Sequence, residues 1–198
     1  MTKPYSAACA NNSDAILNHL STLLIKTQSV LEIGSGTGQH AAYFASYLKH
    51  LVWQTSDIVN HHQGINCWVN ESNLSNLLAP IAFDVTEKIV LEVKYDAIFM
   101  ANTLHIMSWP VVKKCIDKIS KNLNANGLLI VYGPFNYKGE FTSESNRQFD
   151  QHLKESNAER GIRDFEKVNQ LLINCGFTFR EDNEMPANNR LLVWQFNG

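Results

Sequence analysis

Short apolar strands alternate with amphipathic helices along most of this 198-residue chain, and their order constrains the fold more than any other feature. Five segments have the pattern of buried strands: "SVLEI", "LVWQTSD", "APIAFDV", "YDAIFMAN" and "LLIVYGPF". Two further strands are predicted at "FTFREDNEM" and "RLLVWQF", as an antiparallel pair that closes the sheet. We therefore expect an α/β fold in one domain, residues 1–198, with a doubly wound, mostly parallel seven-stranded sheet and an antiparallel final strand.

The composition argues against several classes of function. A net charge of −2, with 44% hydrophobic and 18% charged residues, is typical of a globular protein. Four lysines between residues 113 and 121 have helical spacing, which we interpret as a solvated helix face rather than a nucleic-acid-binding surface. The cysteines form no C-x-x-C pair, and no apolar run approaches the ~18 residues of a membrane span. We expect a cytoplasmic protein with reduced thiols, no metal site, and neither nucleic acid nor membrane as a partner.

A glycine-rich turn, "VLEIGSGTGQH" at residues 30–40, follows the first predicted strand. In doubly wound sheets ligands bind beyond the carboxyl ends of the strands, and glycine lets backbone N–H groups approach them closely. The nicotinamide fingerprint G-x-G-x-x-G needs its third glycine one position later than Gly38, and the Lys of a P-loop is missing. This spacing disfavours a nicotinamide oxidoreductase. Asp57 ends the next strand about 20 residues beyond Gly38, where an acidic residue typically binds ribose hydroxyls.

The pattern E-x-G-x-G-x-G resembles motif I of the class I S-adenosylmethionine-dependent methyltransferases, which have a Rossmann-like fold. The resemblance implies that S-adenosylmethionine is the cofactor. It places Glu32 near the methionine part, where a carboxylate suits an ammonium group. It also implies that Asp84 accepts a hydrogen bond from the adenine amino group, that Val85 packs near the ring, and that Asn102 begins motif IV. The cofactor-binding residues of the turn would be Gly34, Ser35, Gly36, Thr37 and Gly38.

Several further segments narrow the resemblance. The blocks "WQTSD", "FDVT", "ANTLHIMSW", "GLLIVYGPF", "TSESNRQFD", "GIRDFE" and "MPANN" occur in this order. Together they are similar to the methyltransferase-like-26 family, a domain of unknown function with no settled substrate, from about Tyr5 to Phe196. Residues 1–28 would then form an N-terminal arm and helix that cover the cofactor site, irregular through Asn12 and helical over "DAILNHLSTLLIK".

The arm departs from the family pattern at one place. The family usually carries Glu-Arg-Asn before the first helix, whereas this chain has Ala10-Asn11-Asn12 and keeps only the Asn. The interpretation therefore stays open between a methyltransferase acting on a small molecule and a catalytically idle member that binds the cofactor or a protein partner.

Methyl transfer is an in-line displacement, so a base is needed only when the nucleophile starts protonated. Asn102 and His105 are the candidate catalytic residues, and His105 is either a general base or a histidine bonded to backbone. The N-P-P-Y sequence of amino-directed nucleic-acid enzymes is absent after the fourth strand, which favours a small-molecule substrate. Arg163 either pairs with Asp164 or meets an acidic substrate. The residues expected to line a substrate pocket are Asn12, His40, Trp109, Tyr132, Phe135, Asn136 and Arg163.

Overall fold

The computed structural model describes residues 3–87 and 91–198. The helices of this part are α1 (Ala7–Leu23), α2 (Gln39–Tyr47), α3 (His62–Ser72), α4 (Trp109–Asn122), α5 (Glu144–Ser156) and α6 (Phe165–Asn174). The strands of the main sheet are β1 (Ser29–Ile33), β2 (Val52–Asp57), β3 (Leu77–Ala82), β4 (Tyr95–Ala101), β5 (Leu123–Gly133), β8 (Phe177–Met185) and β9 (Asn189–Phe196). A separate two-stranded sheet consists of β6 (Phe135–Asn136) and β7 (Arg163–Asp164).

The seven strands of the main sheet have the order β3-β2-β1-β4-β5-β9-β8. All neighbouring pairs are parallel except those that β9 makes with β5 and β8, which are antiparallel. This arrangement confirms the predicted doubly wound sheet with an antiparallel final strand. The chain starts at the sheet centre, moves outward from β1 to β3, and returns to place β4 on the other side of β1. Connections therefore diverge between β1 and β4, which is where doubly wound sheets form a ligand-binding crevice.

Apolar side chains cover both faces of the sheet, because successive residues of a strand point to opposite faces. On one face, fully buried Leu31 and Ile98 belong to a core cluster completed by α4 and α6. On the other face, Val30 and Phe99 pack with α1 and α2, and Phe44 of α2 contacts Phe99 edge-on with ring centroids 5.6 Å apart. Both layers hold the central strands rigidly, so the loops at the strand ends have fixed starting points.

Three expected element boundaries are wrong, and one of them is that of the fifth strand, which covers Leu123–Gly133 instead of residues 128–135. The first helix begins at Ala7, whereas an irregular arm was expected through Asn12; Met1 and Thr2 of this arm lie outside the described residues. The Ser6 side chain caps this helix by accepting a hydrogen bond from the Cys9 N–H at 3.2 Å, and the alanines that follow favour helix. The third strand covers Leu77–Ala82 instead of residues 79–85, because the Asp84 carboxylate accepts from Thr86 N–H at 2.7 Å and turns the chain.

Among the helices that the structure describes, none combines the length and apolar character needed to cross a membrane.

Candidate functional site

Two neighbouring cavities lie where the central strands end. The first, the turn cavity, has a volume of about 630 Å³ and is lined by residues 34–37 of the glycine turn, Glu32 and Asp57, among others. The second, the amide cavity, has a volume of about 510 Å³. Its asparagines are Asn11, Asn12, Asn102, Asn146 and Asn189. Ala8 and Asn102 line both cavities, so the two spaces meet at these residues.

The three glycines of the turn have different roles. A Cβ on Gly38 would lie 2.9 Å from Ile65 Cα in α3, and one on Gly34 would lie 2.9 Å from Thr103 Cγ2. These two glycines therefore permit close packing of the protein against itself. Gly36 differs, because a Cβ there would meet nothing within 4 Å and the residue lines the turn cavity. Its φ of +56° is also unfavourable for most side chains. Gly36 is the position at which the missing side chain leaves space for a ligand.

Asp57, at the end of β2, holds the glycine turn in place. Its Oδ2 accepts a hydrogen bond from Gly36 N–H at 2.8 Å, and its Oδ1 accepts from Ile58 N–H at 2.7 Å. The ring of His61 contacts the same Oδ1 through Nδ1 at 2.8 Å and also lines the turn cavity. The carboxylate thus ties two strand ends together at the wall of the cavity.

Glu32 lies near the end of β1 with only 2% of its surface exposed. Its Oε2 accepts hydrogen bonds from the Ser35 hydroxyl at 2.9 Å and from Trp53 Nε1–H at 3.2 Å. Burial raises the pKa of the carboxyl to about 7, since the two hydrogen bonds compensate only part of the lost hydration. The carboxyl therefore changes charge close to neutral pH.

The loop after β3 adds Phe83, Asp84 and Val85 to the turn cavity. Phe83 and Val85 are buried, whereas Asp84 is half-buried. Hydrogen bonds from the side chain and backbone of Thr86 lower the pKa of Asp84, so its carboxyl is ionised at neutral pH. The loop presents one carboxylate between two apolar side chains.

Helix α1 and the residue before it cover the turn cavity through Ser6, Ala8 and Cys9. The helix is attached to α2 by Asn12 Oδ1, which lies 2.7 Å from His40 Nε2. Burial lowers the pKa of His40 to about 4, so its ring is neutral at physiological pH. His40 lines the turn cavity and Asn12 lines the amide cavity, and their contact forms part of the wall between the two.

Asn102 follows β4 at the junction of the cavities. Its φ of +55° is uncommon for a residue with a side chain, although Asn tolerates this region better than most. Its N–H donates to the Tyr132 carbonyl at 2.9 Å, which fixes the turn against the end of β5. Such conformations are frequent at functional sites, where the surrounding structure holds them in place.

His105 lies in the short turn that follows, with its ring in the wall of the amide cavity and 5% of its surface exposed. The ring contacts Phe149 edge-on at a centroid distance of 5.3 Å. Within residues 3–87 and 91–198 no group forms a hydrogen bond with the ring nitrogens. Burial, followed by the charges of Arg163 and Arg160, lowers the pKa of His105 to about 4. The imidazole is therefore neutral and free to bind a ligand.

The other expected pocket residues are divided between the cavity and the protein interior. Tyr132 lines the amide cavity and has only 3% of its surface exposed. Trp109, Phe135, Asn136 and Arg163 line neither cavity. Phe135 is 2% exposed in the core, and Trp109 packs against the same cluster.

Arg163 does not pair with Asp164 in the part of the chain that the structure describes, and it lines neither cavity. Its guanidinium donates to the carbonyl of Leu104 at 3.1 Å, to that of Glu159 at 3.1 Å, and to that of Met107. The Asp164 carboxylate instead accepts from Gly139 N–H at 2.9 Å. Arg163 thus braces the turn that carries His105.

Several lining residues were missed by sequence reasoning. His61 was not singled out, although it lies four residues after Asp57, contacts that carboxylate and lines the turn cavity. Asn146, Phe149 and Asn189 reach the amide cavity from α5 and β9, and no local pattern marks them. In the part of the chain that the structure describes, no group of three or more His, Cys, Asp or Glu side chains could hold a metal ion.

Comparison with known families identifies the chain. Residues 3–196 match the family described as a protein of unknown function (DUF938), and the chain belongs to this family. It is the methyltransferase-like-26 family that the sequence blocks indicated.

Comparison with solved structures shows the fold of class I S-adenosylmethionine-dependent methyltransferases. An O-methyltransferase family protein from Burkholderia thailandensis superposes with a TM-score of 0.79 at 12% identity, covering 94% of this chain and 58% of that protein. The apo form of the S-adenosylmethionine-dependent methyltransferase SibL gives 0.82 at 16% identity, covering 97% and 56%. Human N-acetylserotonin methyltransferase in complex with S-adenosylmethionine gives 0.80 at 14% identity, covering 96% and 53%. The chain spans little more than half the length of these proteins.

Proposed function

We propose that this DUF938 protein is a cytoplasmic methyltransferase that uses S-adenosylmethionine to methylate a small molecule. The observation that carries the proposal is the turn cavity, in which the free space at Gly36 lies beside the Asp57 carboxylate. A second cavity adjoins it, because Asn102 lines both. A group-transfer enzyme needs two adjoining spaces, one for the donor and one for the acceptor. The fold shared with known methyltransferases supports the same function.

The residues around the turn cavity fit the parts of the cofactor. The Glu32 carboxyl would hold the ammonium group, and Asp57 would accept from the ribose hydroxyls. Oδ2 of Asp57 accepts one hydrogen bond from the protein, and a carboxylate oxygen can accept two. Asp84 and Val85 would contact the adenine, which is consistent with a carboxylate beside an apolar wall.

Bound S-adenosylmethionine supplies an electrophilic methyl group, and the protein has to orient the acceptor and exclude water. Asn102 would orient the acceptor, and its position at the border of both cavities supports this role. His105 would take the acceptor's proton, and its neutral ring without a partner among the described residues supports this role. Helix α1 would exclude water by covering the turn cavity.

Calorimetric titration with S-adenosylmethionine, S-adenosylhomocysteine and NAD tests the proposal. We expect micromolar binding of the two sulfur compounds and no binding of NAD. The variant Gly36→Asn should lose this binding, since Asn tolerates a positive φ and its side chain fills the open space. Gly139→Asn is the matched control, because Gly139 also has a positive φ and open space but lies away from both cavities. Equal binding by both variants would exclude the turn as the cofactor site.

A catalytically idle member of the fold is the second candidate. The lowered pKa of His105 favours it, since a group with a pKa of about 4 is a weak base at neutral pH. The replacement of the family's Glu-Arg pair by Ala10 and Asn11 points the same way. Incubation with methyl-labelled S-adenosylmethionine and metabolite extracts separates the two candidates. Cofactor binding without any label transfer would favour the idle member.

A further inference from the structure

The amide cavity has a wall of uncharged groups. None of its described lining residues is Asp, Glu, Lys or Arg. Its polar groups are the asparagine amides, a serine and a tyrosine hydroxyl, and the neutral His105, while Pro134, Phe149 and Pro186 supply apolar surface. A charged ligand entering this space would lose hydration without gaining a counter-ion, which is strongly unfavourable. The cavity therefore favours an uncharged ligand.

Asn146 shows which hydrogen-bonding group the ligand has to offer. Its Nδ2 donates to Thr142 Oγ1 at 2.8 Å and to the Asn188 carbonyl at 3.0 Å, so both amide hydrogens are used and the orientation of the amide is fixed. Its Oδ1 has no hydrogen-bond partner among the described residues and is not one of their fully buried unpaired atoms, so water or a ligand can reach it. A carbonyl oxygen in this position accepts a hydrogen bond and offers no donor.

Asn102 and His105 supply further polar groups in the wall of the amide cavity. Asn102 Oδ1 and His105 Nδ1 are 3.6 and 3.7 Å from the point that a Cβ on Gly133 would occupy, so the two side chains are neighbours. Neither side chain has a hydrogen-bond partner in residues 3–87 or 91–198. The Asn102 carbonyl oxygen accepts, and a neutral imidazole has one nitrogen that accepts. Asn102 also lines the turn cavity, from which a methyl group would be transferred.

We infer that the amide cavity is the acceptor site and that it selects a compact, uncharged molecule presenting an O–H or N–H donor. The inference rests on the proposed function for the identity of the reaction, and it adds the chemical class of the acceptor. Apolar surface from Phe149, Pro134 and Pro186 would bind the body of the molecule. The unpaired oxygens and His105 would bind its donor.

Four probes of similar size separate the effect of ligand charge from the effect of a hydrogen-bond donor: phenol, anisole, benzoate and benzylammonium. Phenol is neutral and donates, anisole is neutral and cannot donate, and the other two are charged at pH 7.5. Binding is followed through the His105 imidazole signals in NMR spectra of protein saturated with S-adenosylhomocysteine, and His105→Gln assigns those signals. We expect phenol to bind about tenfold more tightly than anisole, because anisole leaves the acceptors unpaired. Both charged probes should bind more weakly than phenol.

Asn102→Asp provides the matched variant. Asp also tolerates a positive φ, and the change adds one negative charge at the cavity without removing a side-chain hydrogen bond. It should make benzylammonium the tightest charged probe and weaken benzoate further. Asn126→Asp is the control, because Asn126 has a φ of +65°, is exposed, and lies at the opposite end of β5. It should leave the order of the four probes unchanged.

Equal affinities for phenol and anisole, or tighter binding of either charged probe by the unaltered protein, would overturn the inference. S-adenosylmethionine binding and the phenol and anisole titrations are also measured on protein free of S-adenosylhomocysteine, so the two proposals fail separately. If the cofactor binds and phenol is not preferred, the acceptor class is wrong and the methyltransferase proposal stands. If phenol is preferred and the cofactor does not bind, the selectivity of the cavity stands and its role in methyl transfer is wrong.

Discussion

Glu32 is a buried carboxyl in the wall of the turn cavity whose charge changes near physiological pH. Burial raises the pKa of this carboxyl from 4.5 to about 7. An ammonium group binds the ionised carboxylate and gains little from the neutral acid. We therefore expect binding of an ammonium group at this position to depend on pH.

We expect S-adenosylmethionine to bind about tenfold more weakly at pH 6 than at pH 8, because the ionised fraction of Glu32 falls about tenfold across its pKa. Glu32→Gln should bind more weakly at pH 8 and lose this part of the pH dependence. Calorimetric titrations at pH 6, 7 and 8 measure both effects. Glu155→Gln, an exposed position on α5, should behave as the unaltered protein does. A steep pH dependence that survives in Glu32→Gln would assign it to another group.

Strand-end acids were predictable from the sequence, and the contacts of their side chains were not. Glu32 and Asp57 lie at or near the ends of predicted strands, so their place at the sheet edge comes from the strand pattern alone. That Asp57 bonds the Gly36 N–H and the His61 ring depends on how β1 and β2 pair, which a linear pattern does not contain. Their proposed roles with the cofactor stay predictions.

At the scale of elements, the boundaries of α1 and β3 were wrong because local propensity was weighed without caps and turns. Asn11 and Asn12 have low helix propensity, which favoured an irregular arm. The capping Ser6 lies further toward the N-terminus, and the buried Asn12–His40 contact compensates for the propensity. Tertiary contacts thus decided the start of the helix.

The segment between α5 and α6 braces the turn that carries His105. Arg163 donates to the carbonyls of Leu104 and Met107, which flank the histidine, and Gly161 N–H donates to the His105 carbonyl at 3.0 Å. The guanidinium charge also lowers the pKa of the imidazole, as the second cause after burial. Position and charge state of His105 thus depend on a distant element.

Arg163→Met should raise the pKa of His105 from about 4 toward its ordinary value, because a cation that disfavours the imidazolium is removed. Arg163→Lys keeps the positive charge but lacks the several N–H donors of the guanidinium. It should leave the pKa of His105 nearly unchanged while weakening the hydrogen bonds to the turn that carries His105. An NMR titration of the imidazole C–H signals measures the pKa in each variant. An unchanged pKa in Arg163→Met would mean that burial alone keeps His105 neutral.

At the scale of the whole molecule, the switch point between β1 and β4 was implied by the alternation of strands and helices, and the turn cavity lies there. The amide cavity was not predictable in full. Its lining comes from α1, the turn after β4, the end of β5, α5 and the turn before β9, which only the folded chain brings together. Trp109 and Phe135 look like pocket aromatics in the sequence, yet they pack in the core because α4 and β6 turn those faces inward.

Binding of the cofactor links the turn cavity to the stability of the whole protein. At a concentration 100 times its dissociation constant, S-adenosylmethionine should raise the free energy of unfolding by about 2.7 kcal/mol. For a chain of this size that corresponds to a rise in Tm of about 5–10 °C. Asp57→Ala should weaken cofactor binding by about 1–3 kcal/mol and therefore lose much of this rise at the same concentration.

Calorimetric scans with and without the cofactor separate this effect from the variant's own loss of stability. Asp57 also bonds the N–H groups of Gly36 and Ile58, so Asp57→Ala should melt at a lower temperature even without ligand. The relevant quantity is the rise in Tm that the cofactor causes in each protein. Asp117→Ala is the control, because this exposed carboxylate pairs with Lys121 on α4, lines neither cavity and should keep the full rise. An equal rise in Tm for Asp57→Ala and for the unaltered protein would exclude Asp57 from the cofactor site. If the cofactor raises the Tm of none of the three proteins, the chain does not bind S-adenosylmethionine, and both the methyltransferase and the idle cofactor-binding member are excluded.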